Sequence, residues 1–396
     1  MPEPTPFYPR TSKLCKSMQW RYWSGYFVPS SYEVHHDVEY YAIRNSAGLI
    51  DISPMYKYDV TGKDALNLCD RIVTRDMKKC AVGQAVYSAW CDEEGKTLQD
   101  GTIFRVSENH FRFNTADPMF RWMKLNSAGL DVDIKDVSDK YAALALQGPL
   151  SRNILQSMTN GKAIDSLKFF RLANVTVSNI PMIISRTGYT GDLGYEMWVP
   201  VEHAVKAYDM VMEAGHSYGI TPAGNISLDI SRIEAGFILI EIEYISAERA
   251  IIDSQRYSPY EIGLGWTVHL QKQNFVGKKK LVEDKKKGVK RQLIGLDIRW
   301  DELERVYQEE GLPPQVPAAA WRGGIPIYNE YRQIGKATSG CWSPVLKKYI
   351  ALGTVETPFA EPGKTVQVEI TVEYQRKKVI ADIVKLPFFN PERKKA

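Results

Sequence analysis

The chain has 396 residues, which at about 100–200 residues per domain predicts roughly two to four domains. Hydrophobic residues make up 44% and charged residues 25%, which excludes wholesale disorder and a fibrous repeat. The 51 Lys and Arg exceed the 47 Asp and Glu by only +4, too thin a charge to predict a nucleic-acid or membrane partner.

The first 45 residues are crowded with aromatics, from Phe7, Tyr8 and Trp20 through Trp23, Phe27 and Tyr32 to Tyr40 and Tyr41. A helix is predicted over Val34–Ser46, closed by Gly48 as a C-terminal breaker. Leu49–Asp51 and Tyr56–Thr61 read as strands around a turn at Ser53–Pro54, and Gly62–Asp64 opens a helix. Strands Ala85–Cys91 and Gly101–Val106 flank the acidic turn Asp92–Gly95. They are followed by a strand at His110–Asn114 and a helix near Pro118–Ser127. Ile134–Asp136 and Tyr141–Leu146 are strand-like, and the chain after Leu146-Gln147-Gly148-Pro149 turns helical. Strands dominate Asn174–Ser185, whereas Glu202–Ala214 and Ser227–Glu234 carry helical periodicity. Beyond Lys290, six short strands separated by turn residues predict an all-β module, with the Lys-rich run Asp284–Arg291 as a solvated linker before it.

No apolar run approaches the roughly 18 residues that span a bilayer. The proline-rich Met1–Lys13 lacks the apolar core of a signal peptide, so the expectation is a soluble, cytoplasmic protein. The five cysteines are odd in number and contain no C-x-x-C pair, and the six histidines lack metal-ligand spacing. No metal is predicted.

Two places carry candidate chemistry. The run Arg186-Thr187-Gly188-Tyr189-Thr190-Gly191-Asp192-Leu193-Gly194-Tyr195-Glu196 holds three glycines within seven residues and displays two tyrosines and a glutamate. It reads either as a decorated β-turn or as a slot in which a flat heterocycle stacks on tyrosine while a carboxylate accepts paired N–H donors. It is not a phosphate loop, because the Gly-Lys-Ser/Thr ending is missing. Asp100, at a strand entrance, is either an edge residue or, if it faces a cavity, a general acid/base.

The order of motifs resembles the aminomethyltransferase family, the folate-dependent relatives of the glycine cleavage T-protein. The stretches are Arg44–Ser53, Gly62–Ala65, Tyr87–Asp100, Leu146–Pro149, Arg186–Glu196 and Arg232–Gly236. They continue with Gly263–Trp266, Phe275–Lys278 and Thr338–Pro344, collinear over roughly residues 30–385. The resemblance implies an α+β fold of three domains in a ring around a central folate cavity. Residues 1–58 and 142–262 would form the first, 59–141 and 263–288 the second, and 289–396 a C-terminal β-barrel. It further implies that tetrahydrofolate is the cofactor. Tyr87 would line it, Asp100 would lie near the pterin N5 and the transferred carbon, and Asn114 would hydrogen-bond the pterin region. Tyr189 would pack on the folate, Glu196 would grip the amino-pyrimidine edge, and Arg232 would sit near the aminobenzoyl-glutamate end, where a cation suits carboxylates.

The chain departs from the T-protein pattern where the family presents the one-carbon donor. Asp100-Gly101 replaces two adjacent acids, Pro54-Met55 replaces His-Met, and Phe237–Glu248 replaces a short Tyr-Gly-containing turn. These departures resemble the tetrahydrofolate-dependent demethylases of the family. The expectation is therefore methyl transfer from a small onium or methoxy-aryl donor to N5, with aromatics of Trp20–Tyr41 either caging the donor or serving as core. The alternative is a true T-protein, taking an aminomethyl group from a lipoyl-carrier protein and releasing ammonia. A second alternative, a non-catalytic folate-binding relative, carries a Lys-Gly-Cys-Tyr-x-Gly-Gln signature that Ser339-Gly340-Cys341-Trp342-Ser343 does not match.

Overall fold

The computed structural model describes residues 1–159 and 162–395. Three large sheets organise the chain. The first has six strands, in the spatial order Leu172–Val177, Ile180–Ser185, Gly194–Pro200, Tyr141–Gln147, Ala47–Asp51 and Ile220–Pro222. Its central strand, Tyr141–Gln147, is almost wholly Ala and Leu because both of its faces are covered. One face, bearing Leu144, Leu146, Met197 and Val199, packs on the helices Ser151–Thr159 and Ala204–Gly215.

The second sheet has five strands, ordered Gln84–Cys91, Thr97–Ser107, His110–Thr115, Tyr56–Thr61 and Asp133–Asp136. Alternation again divides its faces: Val86, Trp90, Ile103, Phe113 and Val60 pack on the helix Ala65–Ile72. The remaining faces of the two sheets meet each other. Phe104 and Trp198 make an edge-to-face contact with centroids 5.6 Å apart, in one cluster with Ala85, Ala143 and Ala145.

The third sheet is a closed six-stranded barrel, Arg291–Ile298, Lys348–Glu356, Arg332–Ser343, Trp321–Asn329, Thr365–Val372 and Gln375–Val384. Thr365–Val372 shows why: Val366, Val368 and Val372 point inward, with polar residues between them. The barrel docks on the helix Asn225–Glu234 through Ile230, Ile233, Cys341, Ile350 and Leu352. Full burial of an Ile side chain contributes about 1.5–3 kcal/mol.

Several sequence expectations are corrected or extended. The module after Lys290 is the expected barrel of six strands, to which the structure adds a helix, Trp300–Gln308, with Leu303 and Val306 buried in the barrel core. The Lys-rich run Asp284–Arg291 divides: its first half ends the helix Lys278–Lys287, held by its one buried residue, Leu281, and from Gly288 irregular chain leads to the barrel strand that starts at Arg291. Lysine is a good helix former, and a polar helix needs few anchors. The helix predicted over Val34–Ser46 spans Asp37–Asn45, and Gly48 does not cap it. Gly48 lies inside the strand Ala47–Asp51, where a Cβ would come within 2.6 Å of Ile43. The aromatic N-terminus contains a hairpin, Trp20–Trp23 and Tyr26–Pro29, and its aromatics are shared between local contacts and the cores of the neighbouring units, with Phe7 against Tyr208 and Tyr40 in the cluster under the barrel. Tyr8, Trp20 and Phe27 are mutually in contact at 5.1–5.6 Å, and Phe7, Tyr32 and Tyr40 are buried. All five cysteines are buried free thiols. Among the described residues, no helix is long and apolar enough to cross a membrane.

Candidate active site

Strand register brings the candidate residues together. Tyr87, Thr102, Asn114 and Lys57 stand abreast on four neighbouring strands of the five-stranded sheet. Cross-strand partners share a face, and alternation puts Asp100 and Phe104 on that face too. Since Phe104 meets Trp198, this face is the one turned towards the six-stranded sheet. Glu196 is two residues from Trp198 on the same strand, so it projects from the opposing sheet into the same interval.

Asp100 is held by two phenols. Tyr87 donates to Oδ2 and Tyr244 donates to Oδ1. Burial pushes the Asp100 carboxyl above the usual carboxylate range, the two phenol bonds pull it back down, and the charges of Asp117 and Glu243 push it up again. Both tyrosines are driven well above the usual phenol range, by desolvation first and by the neighbouring carboxylate second. The proton therefore stays on the phenols. Gly101 follows Asp100 because a Cβ there would sit 2.5 Å from the Asn114 carbonyl oxygen, so a second acid does not fit.

Across the interval, Thr187 Oγ1 donates to Glu196 Oε2 at 2.7 Å and Ser185 Oγ lies 3.4 Å from the same oxygen. Among the described residues no hydrogen bond reaches Oε1. Desolvation raises the Glu196 carboxyl above its usual range, opposed by the two hydroxyls. The loop between Thr187 and Glu196 is clamped by Gln147. Its amide nitrogen donates to the carbonyls of Thr187 (3.4 Å) and Tyr195 (3.3 Å), and its oxygen accepts from Thr190 at 2.8 Å. The glycines of this run serve that clamp. A Cβ at Gly188 or Gly194 would overlap the Gln147 side chain, and only Gly191 has a positive φ, 74°. The two motifs, Leu146–Pro149 and Arg186–Glu196, are thus one structural unit.

Tyr189 stacks on Phe237, with centroids 5.6 Å apart and planes 22° from parallel, and its hydroxyl donates to the Ile238 carbonyl at 2.5 Å. It lies within electrostatic range of both Asp100 and Arg232, so it links the two ends of the site. Arg232 is buried on the helix Asn225–Glu234, bonded to Asp229 and Glu243 at 2.9 Å each. Asn114 is buried and donates to Thr102 Oγ1 at 3.3 Å.

Asp100, Tyr87, Glu196 and Tyr189 are all strongly desolvated and yet partly accessible, which is the signature of an internal hollow. Asn114 Oδ1 and Arg232 Nη2 are buried with no hydrogen-bond partner. Such atoms occur elsewhere among the described residues too, but these two belong to residues of the candidate site, where a polar ligand would satisfy them. A lining of stacked aromatic rings, an acid with an open lobe, an unpaired amide oxygen and an unpaired guanidinium N–H fits a pterin with an anionic tail.

The helix-side and barrel-side portions each match a family model. The GCVT N-terminal domain matches residues 11–272, and the glycine cleavage T-protein C-terminal barrel domain matches residues 311–390. The chain belongs to the aminomethyltransferase family. It is 34% identical over 378 residues to the aminomethyltransferase of Caldanaerobacter subterraneus subsp. tengcongensis, covering 94% of this chain and 92% of the relative. It is 35% identical over 356 residues to that of Halalkalibacterium halodurans, covering 89% of each. In fold it is similar to the glycine cleavage system aminomethyltransferase T from Bartonella henselae, with a TM-score of 0.83 at 24% identity, covering 98% of this chain and 99% of that one. The mixed α+β architecture with a C-terminal barrel is the fold of this family. Membership makes the protein a tetrahydrofolate-dependent one-carbon transferase.

Sequence reasoning missed three participants. Tyr244 lies in the departing segment Phe237–Glu248, whose one tyrosine was a usable signal. Thr187 sits inside the glycine-rich run, where no role was assigned to its hydroxyl. Lys57, buried and in register with Asn114, donates to the carbonyls of Ser53 (2.8 Å) and Met55 (2.7 Å), and burial pushes its ammonium down to about 7.

Proposed function

We propose that the protein is an aminomethyltransferase of the glycine cleavage type, moving a one-carbon unit from an aminomethyl group on the lipoyl arm of a carrier protein to tetrahydrofolate, with release of ammonia. The observation that carries this reading is the placement of Asp100, held by two phenols, on a sheet face opposite Glu196. The names of the relatives favour the aminomethyl donor over a methyl donor.

When bound, tetrahydrofolate supplies the nucleophilic ring nitrogen. Glu196 accepts from the amino-pyrimidine edge, since a carboxylate matches two parallel N–H donors. Tyr87 and Tyr189 flank the bound ring, and the unpaired Asn114 Oδ1 accepts from a ring N–H. Asp100 would accept the proton that the ring nitrogen loses on bonding to the carbon, while the carbon–sulfur bond to the lipoyl arm breaks and the sulfur leaves as thiolate. The amino group would leave as ammonia, with the proton of the second folate nitrogen, when that nitrogen closes on the same carbon. The upward shift of Asp100 brings its basicity nearer to neutrality, where a general base works best. Arg232 lies towards the glutamyl end of the folate, where a cation suits the carboxylates. The rest of the chain aligns the two reactants and excludes water. The reading includes the three-domain division, with the first cut placed before Tyr56 rather than after Tyr58, because Tyr56–Thr61 pairs wholly within the five-stranded sheet.

A demethylase acting on a small onium or aryl ether remains a second reading for one reason: Tyr244, which closes over Asp100, comes from a segment that departs from the T-protein pattern. Product mass decides between them. With tetrahydrofolate and an aminomethylated lipoyl carrier, the first reading expects methylene-tetrahydrofolate and ammonia. Methyl-tetrahydrofolate formed from a small methyl donor, with no product from the carrier, would overturn it.

A further inference from the structure

The strand Gln84–Cys91 is an edge of the five-stranded sheet, and Tyr87, which it carries, donates to Asp100. Two segments cover that edge. The Thr74 amide donates to the Ala89 carbonyl at 2.9 Å, and the short helical turn Gly265–Thr267 is tied to Thr74, with the Thr74 and Thr267 hydroxyls 3.1 Å apart. This places Trp266 over Tyr87, with ring centroids 6.1 Å apart and planes 19° from parallel. Trp266 nevertheless keeps 58% of its surface exposed. A stack of side chains therefore runs from solvent through Trp266 and Tyr87 to Asp100. A second apolar side chain, Val82, is 53% exposed in the turn that leads into the same strand.

The surroundings are cationic. The Arg75 guanidinium lies 5.3 Å from the Trp266 ring centre, with Nη1 3.5 Å from the Tyr87 carbonyl oxygen. Arg105 donates to the carbonyls of Cys80 at 2.7 Å and Glu108 at 3.1 Å. The charges of Arg105, Arg171 and Arg75 all reach Cys80, which sets the three guanidinium groups around one point, and Lys78 is exposed two residues before it. Among the described residues no carboxylate pairs with any of these four cations. Asp76, the acid on the same segment, lies 3.6 Å from Lys79. Exposed aromatic and arginine side chains side by side are what protein interfaces enrich.

We propose that Trp266 and Val82, with Arg75, Lys78, Arg105 and Arg171 beside them, form the docking surface for the carrier protein, an acidic face of the carrier resting on the cations and its lipoyl arm led along the Trp266–Tyr87 stack to Asp100. The inference rests on the aminomethyl reading above and adds to it the place where the carrier seats. Cations without acid partners, spread over separate segments, suit an extended acidic surface rather than one small anion, and they steer its approach. The exposed indole supplies an apolar anchor, and its contact with Tyr87 sets that anchor next to the reacting end.

The test compares two donors on the full chain: a bacterial lipoyl carrier protein loaded with the aminomethyl group, and free aminomethylated dihydrolipoamide, which keeps the arm and lacks the protein. In Trp266→Ala and in Arg171→Glu the KM for the carrier should rise at least about tenfold, with kcat within about twofold. Both constants for the free donor should stay within about twofold of wild type, which also shows that the variants are folded. Raising salt from about 50 to about 500 mM should raise the wild-type KM for the carrier several-fold and spare the free donor, and Arg171→Glu should flatten that rise. A carrier KM unchanged in both variants would overturn the docking surface, as would an equal loss with both donors or a wild type that acts on the free donor alone. A wild type that acts on neither donor would instead overturn the aminomethyl reading itself.

Discussion

Tyr244 donates its phenol to Asp100 Oδ1 from a position 144 residues further along the chain. That bond favours the ionised carboxylate, whereas burial and the charges of Asp117 and Glu243 oppose it. Its loss in Tyr244→Phe should therefore raise the Asp100 pKa further above the usual carboxylate range. If ionised Asp100 is the form that accepts the proton, activity falls as pH drops through that pKa. The acid limb of the kcat/KM profile should then lie above the ordinary carboxylate range in the wild type and move to still higher pH in the variant. Parallel pH–rate profiles check this, and a limb that stays in place would remove Tyr244 from the control of Asp100.

Asp100→Asn preserves the side-chain shape and one acceptor oxygen but cannot take a proton. General-base contributions are about 10²–10⁴-fold. Turnover should fall by at least about a hundredfold while tetrahydrofolate affinity changes by no more than about threefold. Single-turnover rates and equilibrium binding measured on the same preparation separate the two effects, and equal turnover in wild type and variant would exclude Asp100 from the chemistry.

Glu196→Gln tests the opposite wall. Gln presents one acceptor and one donor to a ligand edge that offers only donors, and a buried mismatch of this kind costs about 1.5–3 kcal/mol, or about 10- to 150-fold in Kd. Thr187 can still donate to the amide oxygen, so the loop held by Gln147 should keep its shape. The expected result is a raised Kd for both tetrahydrofolate and 6-methyltetrahydropterin, which keeps the ring but lacks the glutamyl tail. A change confined to tetrahydrofolate would move Glu196 away from the ring.

What the sequence made legible follows from where the physics is local. Strand positions such as Tyr56–Thr61 and Ala85–Cys91 carry their own alternation and turn signals, and the structure places them within a residue or two of the expectation. Gly48 and Gly188 could not be read that way. Both are shaped by close approach to a residue far off in the sequence or in the next element, Gln147 in one case and Ile43 in the other, and no local pattern distinguishes that need from a positive φ. The Lys278–Lys287 helix was hidden for the opposite reason: its composition is that of a linker, and one buried leucine holds it. In the site, Asp100 and Glu196 were named from motif order, while the partners that tune them, Tyr244 and Thr187, were not. Their roles exist only once two sheets face each other.

The barrel, the helix Asn225–Glu234 and the helix Asp37–Asn45 meet at a buried ionic junction, which supplies the last prediction. Arg44 donates to Glu234 Oε2 through Nε at 3.0 Å and again through Nη2 at 2.5 Å, and both side chains are almost completely excluded from water. Glu234 also accepts from Tyr40 and from Ser343 of the barrel, each at 2.5 Å. On its far side Arg44 lies 3.5 Å from Asp192, which Arg393 of the C-terminal tail engages twice, at 2.7 and 2.8 Å, and its guanidinium stacks 4.4 Å from the Phe389 ring. Arg44→Met keeps the packing volume but leaves the Glu234 carboxylate buried beside two hydroxyl donors and no cation. Removing one partner of a buried pair costs about 3–5 kcal/mol. Tyr40→Phe removes one neutral donor to the same carboxylate and should cost about 1.5–3 kcal/mol. Urea unfolding followed by fluorescence should therefore rank wild type above Tyr40→Phe and Tyr40→Phe above Arg44→Met. Because Glu234 is two residues from Arg232 on one helix, a junction that loosens should also weaken tetrahydrofolate binding well below the unfolding transition. Retained stability in Arg44→Met would show that the junction is not what fastens the barrel and tail to the helix carrying Arg232.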